Sequence, residues 1–196
     1  MKPVALMATA LALAALSGCV APVGPVEVTR FHAPDISPLG KGSIAVEPAP
    51  GSDPASLEWQ TYSTAVARQL VLLGYTEVKP GSGGQVALVK MSRRTLQPAG
   101  SNPVSVGVGG STGTYGSGLG LGIGINLSPK PAAEVATDLS VSIRDRTSGA
   151  TLWEGRATFV VSSKSPLAAT ALGAPKMSEA LFAGFPGQSG ETIEVK

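Results

Sequence analysis

A chain of 196 residues with 15 Lys and Arg against 13 Asp and Glu carries a formal charge of only +2. That balance offers no electrostatic footprint for nucleic acid. A lone Cys forbids an internal disulfide, and one Cys with one His cannot build a Cys/His zinc site. Charged residues make up 14%, while 25 glycines and 16 prolines mark a chain rich in turns and bare backbone.

Met1-Lys2 is a minimal positive start, followed by a 13-residue apolar run from Val4 to Leu16 broken only by Thr9. The run is too short to span ~30 Å of hydrocarbon as a mature helix. It has the length of a signal-peptide core. Leu16-Ser17-Gly18-Cys19 comes next and resembles the lipobox of bacterial lipoproteins. The resemblance implies a diacylglyceryl group on the Cys19 thiol, cleavage between Gly18 and Cys19, and acylation of the new amino group. Small residues at 17 and 18 suit a protease that binds the backbone closely, and the thiol is the nucleophile that becomes the thioether. The alternative is an ordinary secretory signal with an incidental Cys. Val20 and Ala21 follow Cys19 where an Asp would favour inner-membrane retention. The same resemblance therefore implies an outer-membrane anchor with the body facing the periplasm, and the inner membrane as the alternative.

Val20 to Pro25 reads as a tether kept extended by two prolines and a glycine. Val26 to Phe31 alternates as a first strand, with Val26, Val28 and Arg30 on one face and Glu27, Thr29 and Phe31 on the other. Ser43 to Glu47 is a second short strand. Asp53 as N-cap and Pro54 at the first helical position open a helix. Trp59, Tyr62, Val66, Leu70 and Leu73 share one of its faces, and Gly74 stops it. Tyr75 to Val78 and Gln85 to Met91 read as strands, the latter left at Arg93-Arg94.

From Thr95 to Pro129 there are 35 residues without a charge, and Gly100 to Ser128 holds ten glycines. Val104, Val106 and Val108 alternate on the way in. Leu119, Leu121, Ile123, Ile125 and Leu127 alternate on the way out, with Gly118, Gly120, Gly122 and Gly124 between them. Period-two patterning predicts a long hairpin with an apolar face, a nearly bare face and a tip over 109–118. A glycine-rich loop is the alternative. A second hairpin sets Leu139, Val141 and Ile143 against Trp153, Ala157, Phe159 and Val161, with its turn at Asp145 to Gly149. Ser165-Pro166 opens an Ala-rich helical turn that Pro175 is expected to interrupt. Lys176 to Ala183 reads as a final helix, Phe185-Pro186-Gly187 as its end, and Thr192 to Val195 as an edge strand. The sum is an α+β fold: an antiparallel β-sheet with two helices packed on one face and a Gly-rich hairpin insertion. Residues 1–18 are the signal segment, 19–25 the lipidated tether, and 26–196 a single domain with the Gly-rich hairpin or loop at 95–130.

The strand ending Arg30-Phe31, the helix running into Leu73-Gly74-Tyr75, the stretch Asp145 to Ala157 and the closing Phe185-Pro186-Gly187 together resemble the bacterial envelope lipoproteins grouped as domain of unknown function 4136. The resemblance implies an envelope location and a sheet-plus-helix fold, and carries no catalytic residues.

Chemical motifs are sparse. Gly109-Gly110-Ser111-Thr112-Gly113 matches a nucleophile elbow in letters only, because that elbow needs a following helix and a later His, and the only His is His32. No Walker motif occurs, and no Lys lies between 95 and 129. Asp53 reads as a cap and Asp145 as a turn residue. Glu58 and Glu154 show no glycosidase pairing. Arg93-Arg94 and Arg144/Arg146 read as solvated cations with anionic contact as the alternative, and Trp59 and Trp153 as core. The expectation is a non-catalytic envelope lipoprotein with a structural, assembly or binding role. It needs no metal and no cofactor. Its expected partners are membrane lipid through acylated Cys19 and an unidentified envelope protein, with Leu119, Leu121, Ile123 and Ile125 the candidate contact for that partner or for lipid. A lipid-anchored periplasmic hydrolase and a hydrophobic-ligand-binding protein are the alternatives.

Overall fold

The computed structural model describes residues 23–97, 104–112, 117–125 and 132–196. Leu16, Ser17, Gly18 and Cys19 therefore lie outside the described residues, as do Leu127 and positions 113–116 of the expected tip. The elements are β1 (Val26–His32), β2 (Ser43–Pro48), α1 (Leu57–Leu72), β3 (Thr76–Glu77), β4 (Gln85–Leu96), β5 (Val104–Thr112), β6 (Ser117–Ile125), β7 (Glu134–Asp145), β8 (Thr151–Ser162), a 3-10 turn (Pro166–Ala168), α2 (Thr170–Phe182) and β9 (Thr192–Val195).

Seven strands form one sheet in the order β3-β2-β4-β7-β8-β1-β9, and β5 and β6 form a separate pair. From β4 to β9 every neighbour is antiparallel. β2 is parallel to both β3 and β4, so the α+β sheet is mixed at that edge rather than antiparallel throughout. The cause is α1, which carries the chain back across the sheet between β2 and β3, as a parallel pair requires.

Period two builds the core. Leu139, Val141 and Ile143 on β7 align with Ala157, Gly155 and Trp153 on β8, and with Met91, Val89 and Ala87 on β4. This face is buried under both helices. Trp59, Tyr62, Val66 and Leu70 of α1 and Met177, Leu181 and Phe182 of α2 join the same cluster. The helices touch where the Tyr62 hydroxyl donates to Met177 Sδ at 3.8 Å. The Trp59 indole N–H donates to the Val89 carbonyl at 3.1 Å and fixes α1 over β4.

Two helix boundaries differ from the sequence reading. The N-cap is Ser56, whose hydroxyl accepts from the Trp59 N–H, while Asp53 caps an earlier turn by accepting from the Ala55 N–H at 2.9 Å. α2 runs through Pro175 without a break. The ring removes one intrahelical hydrogen bond, but Ala174, Met177, Ala180 and Leu181 are all buried on the sheet, and that packing outweighs local propensity.

Register places the chain ends. Glu27, Thr158, Asp138 and Ser92 form one row across β1, β8, β7 and β4. From that row β4 runs on to Leu96, opposite Glu134, where the Gly-rich segment departs. β1 runs the other way, so the chain enters it from the end that β4 leaves. A Cβ built on Gly24 would lie 3.9 Å from the Val160 carbonyl oxygen, in the row of β8 that faces Ala136 and Arg94.

Candidate functional site

The helix-free face of the sheet carries an open trough of about 490 Å³. Its floor follows from alternation: Ser140 and Ser142 occupy the β7 positions between the buried Leu139, Val141 and Ile143. Register then sets Lys90, Ser140, Arg156 and Thr29 in one row and Leu88, Ser142, Glu154 and Phe31 in the next. Ser140 sits between Lys90 and Arg156 and Ser142 between Leu88 and Glu154, which gives a concave surface of mixed polarity. Arg156 of the trough pairs with Glu154 at 2.7 Å, and Arg94, beyond its lining, pairs with Asp138 at 2.6 Å. Asp138 also accepts from the Thr158 hydroxyl at 2.9 Å. Arg144 reaches Ser142 Oγ only at 3.4 Å. The Ser92 hydroxyl points to the Asp138 carboxylate at 3.5 Å, and register sets Lys90 opposite Ser140 and Glu154 opposite Ser142.

The residues singled out by sequence chemistry do not converge. His32 sits at the end of β1, where Nδ1–H donates to the Ala33 carbonyl at 2.7 Å. Ser189 Oγ meets the backbone N–H of His32 at 3.1 Å and not its ring. Ser111 lies within β5 opposite Gly118, and the next described element is the strand β6, so the elbow context is lacking. Asp145 holds the β7–β8 turn by accepting from Ser148 N–H and hydroxyl and from Thr147 N–H, which keeps its carboxyl below the usual aspartate range. The Ser37 hydroxyl, and then the Ser37 N–H at 2.9 Å, hold the Asp35 carboxyl below the usual aspartate range. Glu58 accepts from Arg93 at 2.9 Å and from Thr170 at 3.1 Å, a polar clasp joining α1, β4 and α2. Among the described residues, no group of three or more His, Cys, Asp or Glu is placed to hold a metal ion.

Arg30 is a site-like residue that sequence reading passed over. It sits on the core face, 4% exposed, and its Nε and Nη2 have no hydrogen-bond partner. Burial pushes its guanidinium pKa down, opposed by the charge of Glu191. Gly187 makes room for it, since a Cβ there would come within 2.8 Å of Nη1. The sequence signal was present: Arg30 shares a strand face with Val26 and Val28.

Leu119, Leu121, Ile123 and Ile125 fall on β6, opposite Gly110, Val108, Val106 and Val104 of β5. Nine residues of each strand pair without a register shift. No helix among the described residues is long and apolar enough to cross a membrane.

No protein-family model matches the chain. It is similar to an uncharacterized protein of Zymomonas mobilis, 25% identical over 215 residues that cover 88% of this chain and 80% of the other. Among solved structures, a PDZ domain protein from Parabacteroides distasonis aligns with 96% of this chain at 13% identity and a TM-score of 0.49. This chain spans only 42% of that protein's length. Two crystal forms of the PelC dodecamer from Paraburkholderia phytofirmans align with 80% of this chain and 96% of theirs, at 14% and 15% identity and TM-scores of 0.38 and 0.40.

Proposed function

We propose that the chain is a lipid-anchored lipoprotein of a bacterial outer membrane whose periplasm-facing body has a non-catalytic role in envelope assembly or binding. The observation that carries this reading is the position of the single cysteine. Cys19 directly follows a 13-residue apolar run and the small pair Ser17-Gly18. Two or three acyl chains at ~0.8 kcal/mol per buried CH₂ anchor a protein permanently. The first strand begins at Val26, seven positions after Cys19. The resemblance to envelope lipoproteins supports the same location, and the trough and the hairpin are surfaces that a partner could use.

The test is fractionation of cells that make the wild type or Cys19→Ala, with the mass of the N-terminal peptide measured in each. A triacylated Cys19 in the outer-membrane fraction, absent from the variant, is the expected result. A soluble, unlipidated wild type would overturn the reading.

A further inference from the structure

We infer that β5 and β6 are membrane-spanning strands, and that several copies of this chain close their hairpins into one β-barrel in the outer membrane. The inference rests on the proposed outer-membrane location and goes beyond it, because a lipid anchor alone needs no hairpin.

Four observations support it. First, the segment from Thr95 to Pro129 carries no charge, including the four residues that join the strands. A charged residue there would oppose transfer through hydrocarbon. Second, the length fits. Nine residues at ~3.3 Å each reach about 30 Å, or about 23 Å along the normal when tilted ~40°, against an apolar band of ~25 Å. Third, the register sorts the positions by polarity. Val104 faces Ile125, Val106 faces Ile123 and Val108 faces Leu121, which puts the apolar positions on one face. The other face holds only Gly and Ser: Ser105, Gly107, Gly109 and Ser111 against Gly124, Gly122, Gly120 and Gly118. Lipid on one side and a small-residue lumen on the other is the alternation of a membrane barrel. Fourth, the hairpin departs from the end of the sheet at which the chain enters β1, so the lipidated tether and the hairpin leave together.

The occupant of the open strand edges follows from backbone hydrogen bonding. Among the described residues, β5 and β6 pair only with each other, which leaves an outer row of N–H and C=O groups on each strand. Hydrocarbon does not satisfy those groups, so only closed barrels and helices span it. One chain supplies two strands and the smallest membrane barrels have about eight, so closure takes about four copies or more. The neighbour that matches each edge is the same hairpin of another copy.

The experiment uses the mature full-length chain. Lipidated wild type extracted in mild detergent is sized by light scattering. Cys19→Ala protein is added to dye-loaded vesicles of phosphatidylethanolamine and phosphatidylglycerol. A discrete oligomer, and dye release that does not depend on the lipid, are expected. Ile123→Arg on the apolar face should cut release by about tenfold or more, while Gly122→Ser on the opposite face should leave it within about twofold. Near-identical thermal melting of the two variants separates loss of insertion from loss of folding. A lipidated monomer without dye release would overturn the barrel and leave the anchor standing. Dye release by a protein that is never lipidated in cells would overturn the anchor and leave the barrel standing.

Discussion

Gly155 shows how one missing methyl group organises the core. It lies on β8 between Trp153 and Ala157, and the Trp153 ring folds across it to stack on Phe182 at 5.2 Å. The indole N–H then donates to the Pro186 carbonyl at 2.9 Å and ties down the Phe185-Pro186-Gly187 turn. A Cβ at 155 would meet Leu181 Cδ1 at 2.8 Å and Trp153 Cζ2 at 2.9 Å, with Cη2 nearer still. Gly155→Ala should therefore cost about 1–3 kcal/mol, read as a thermal midpoint lower by about 2–4 °C per kcal/mol. Glu47 supplies the pH dependence. Burial works against its charge, but the Gly81 N–H at 2.8 Å and Arg146 at 2.6 Å prevail and hold its carboxyl below the usual glutamate range. A depressed folded-state pKa gives stability that is present above the unfolded value of about 4.3 and is lost as pH falls through the folded one. Glu47→Gln should flatten the acid limb of the stability curve below about pH 4.5 in denaturant titrations. Strand periodicity made the inward placement of Trp153 and Gly155 legible in the sequence. The ring lying over the glycine was not legible, because it depends on where α2 lands.

The strands and helices were legible as elements, and so were some of their ends, such as the starts of β1 at Val26 and β2 at Ser43 and both ends of β9, while others were not. Asp53-Pro54 carries the stronger local signal for a helix start, yet α1 begins after Ser56. Trp59 anchors to the Val89 carbonyl, and that tertiary contact sets the first turn. Ser56→Ala should cost about 0.5–2 kcal/mol in equilibrium unfolding, whereas Asp53→Ala should cost less, since it serves only the preceding turn. β4 was expected to end before Arg93-Arg94, but continues to Leu96. The two arginines do not end it because each finds an acid on its own side of the sheet. Arg93 pairs with Glu58 beneath the helices and Arg94 with Asp138 on the open face.

At the scale of the molecule, the α+β class and the face covered by helices could be read from alternation alone. The order of the strands could not, nor the parallel placement of β2, because pairing is decided between segments far apart in sequence. The trough shares that origin: Lys90, Ser140 and Arg156 lie in one row only through register across three strands. The Leu16-Ser17-Gly18-Cys19 pattern is local in sequence, and its residues lie outside the described structure. The pairing of β4 with β7 up to Leu96 and Glu134 also makes the Gly-rich segment separable from the body. Replacing residues 97–133 by Asn-Gly closes those strands with a two-residue turn. The shortened chain should still unfold cooperatively, with a thermal midpoint close to that of the full chain, in calorimetry.

Both tryptophans of the chain, Trp59 and Trp153, lie in the helix-covered core. Their emission is therefore an optical reporter of the body alone. Denaturation followed by intrinsic fluorescence traces the seven-stranded sheet and its helices, while events confined to β5 and β6 pass unseen. A tryptophan introduced at Leu121 would add a second colour: a blue shift on addition of vesicles, against a constant background from the core, would time the hairpin separately from the fold that carries it.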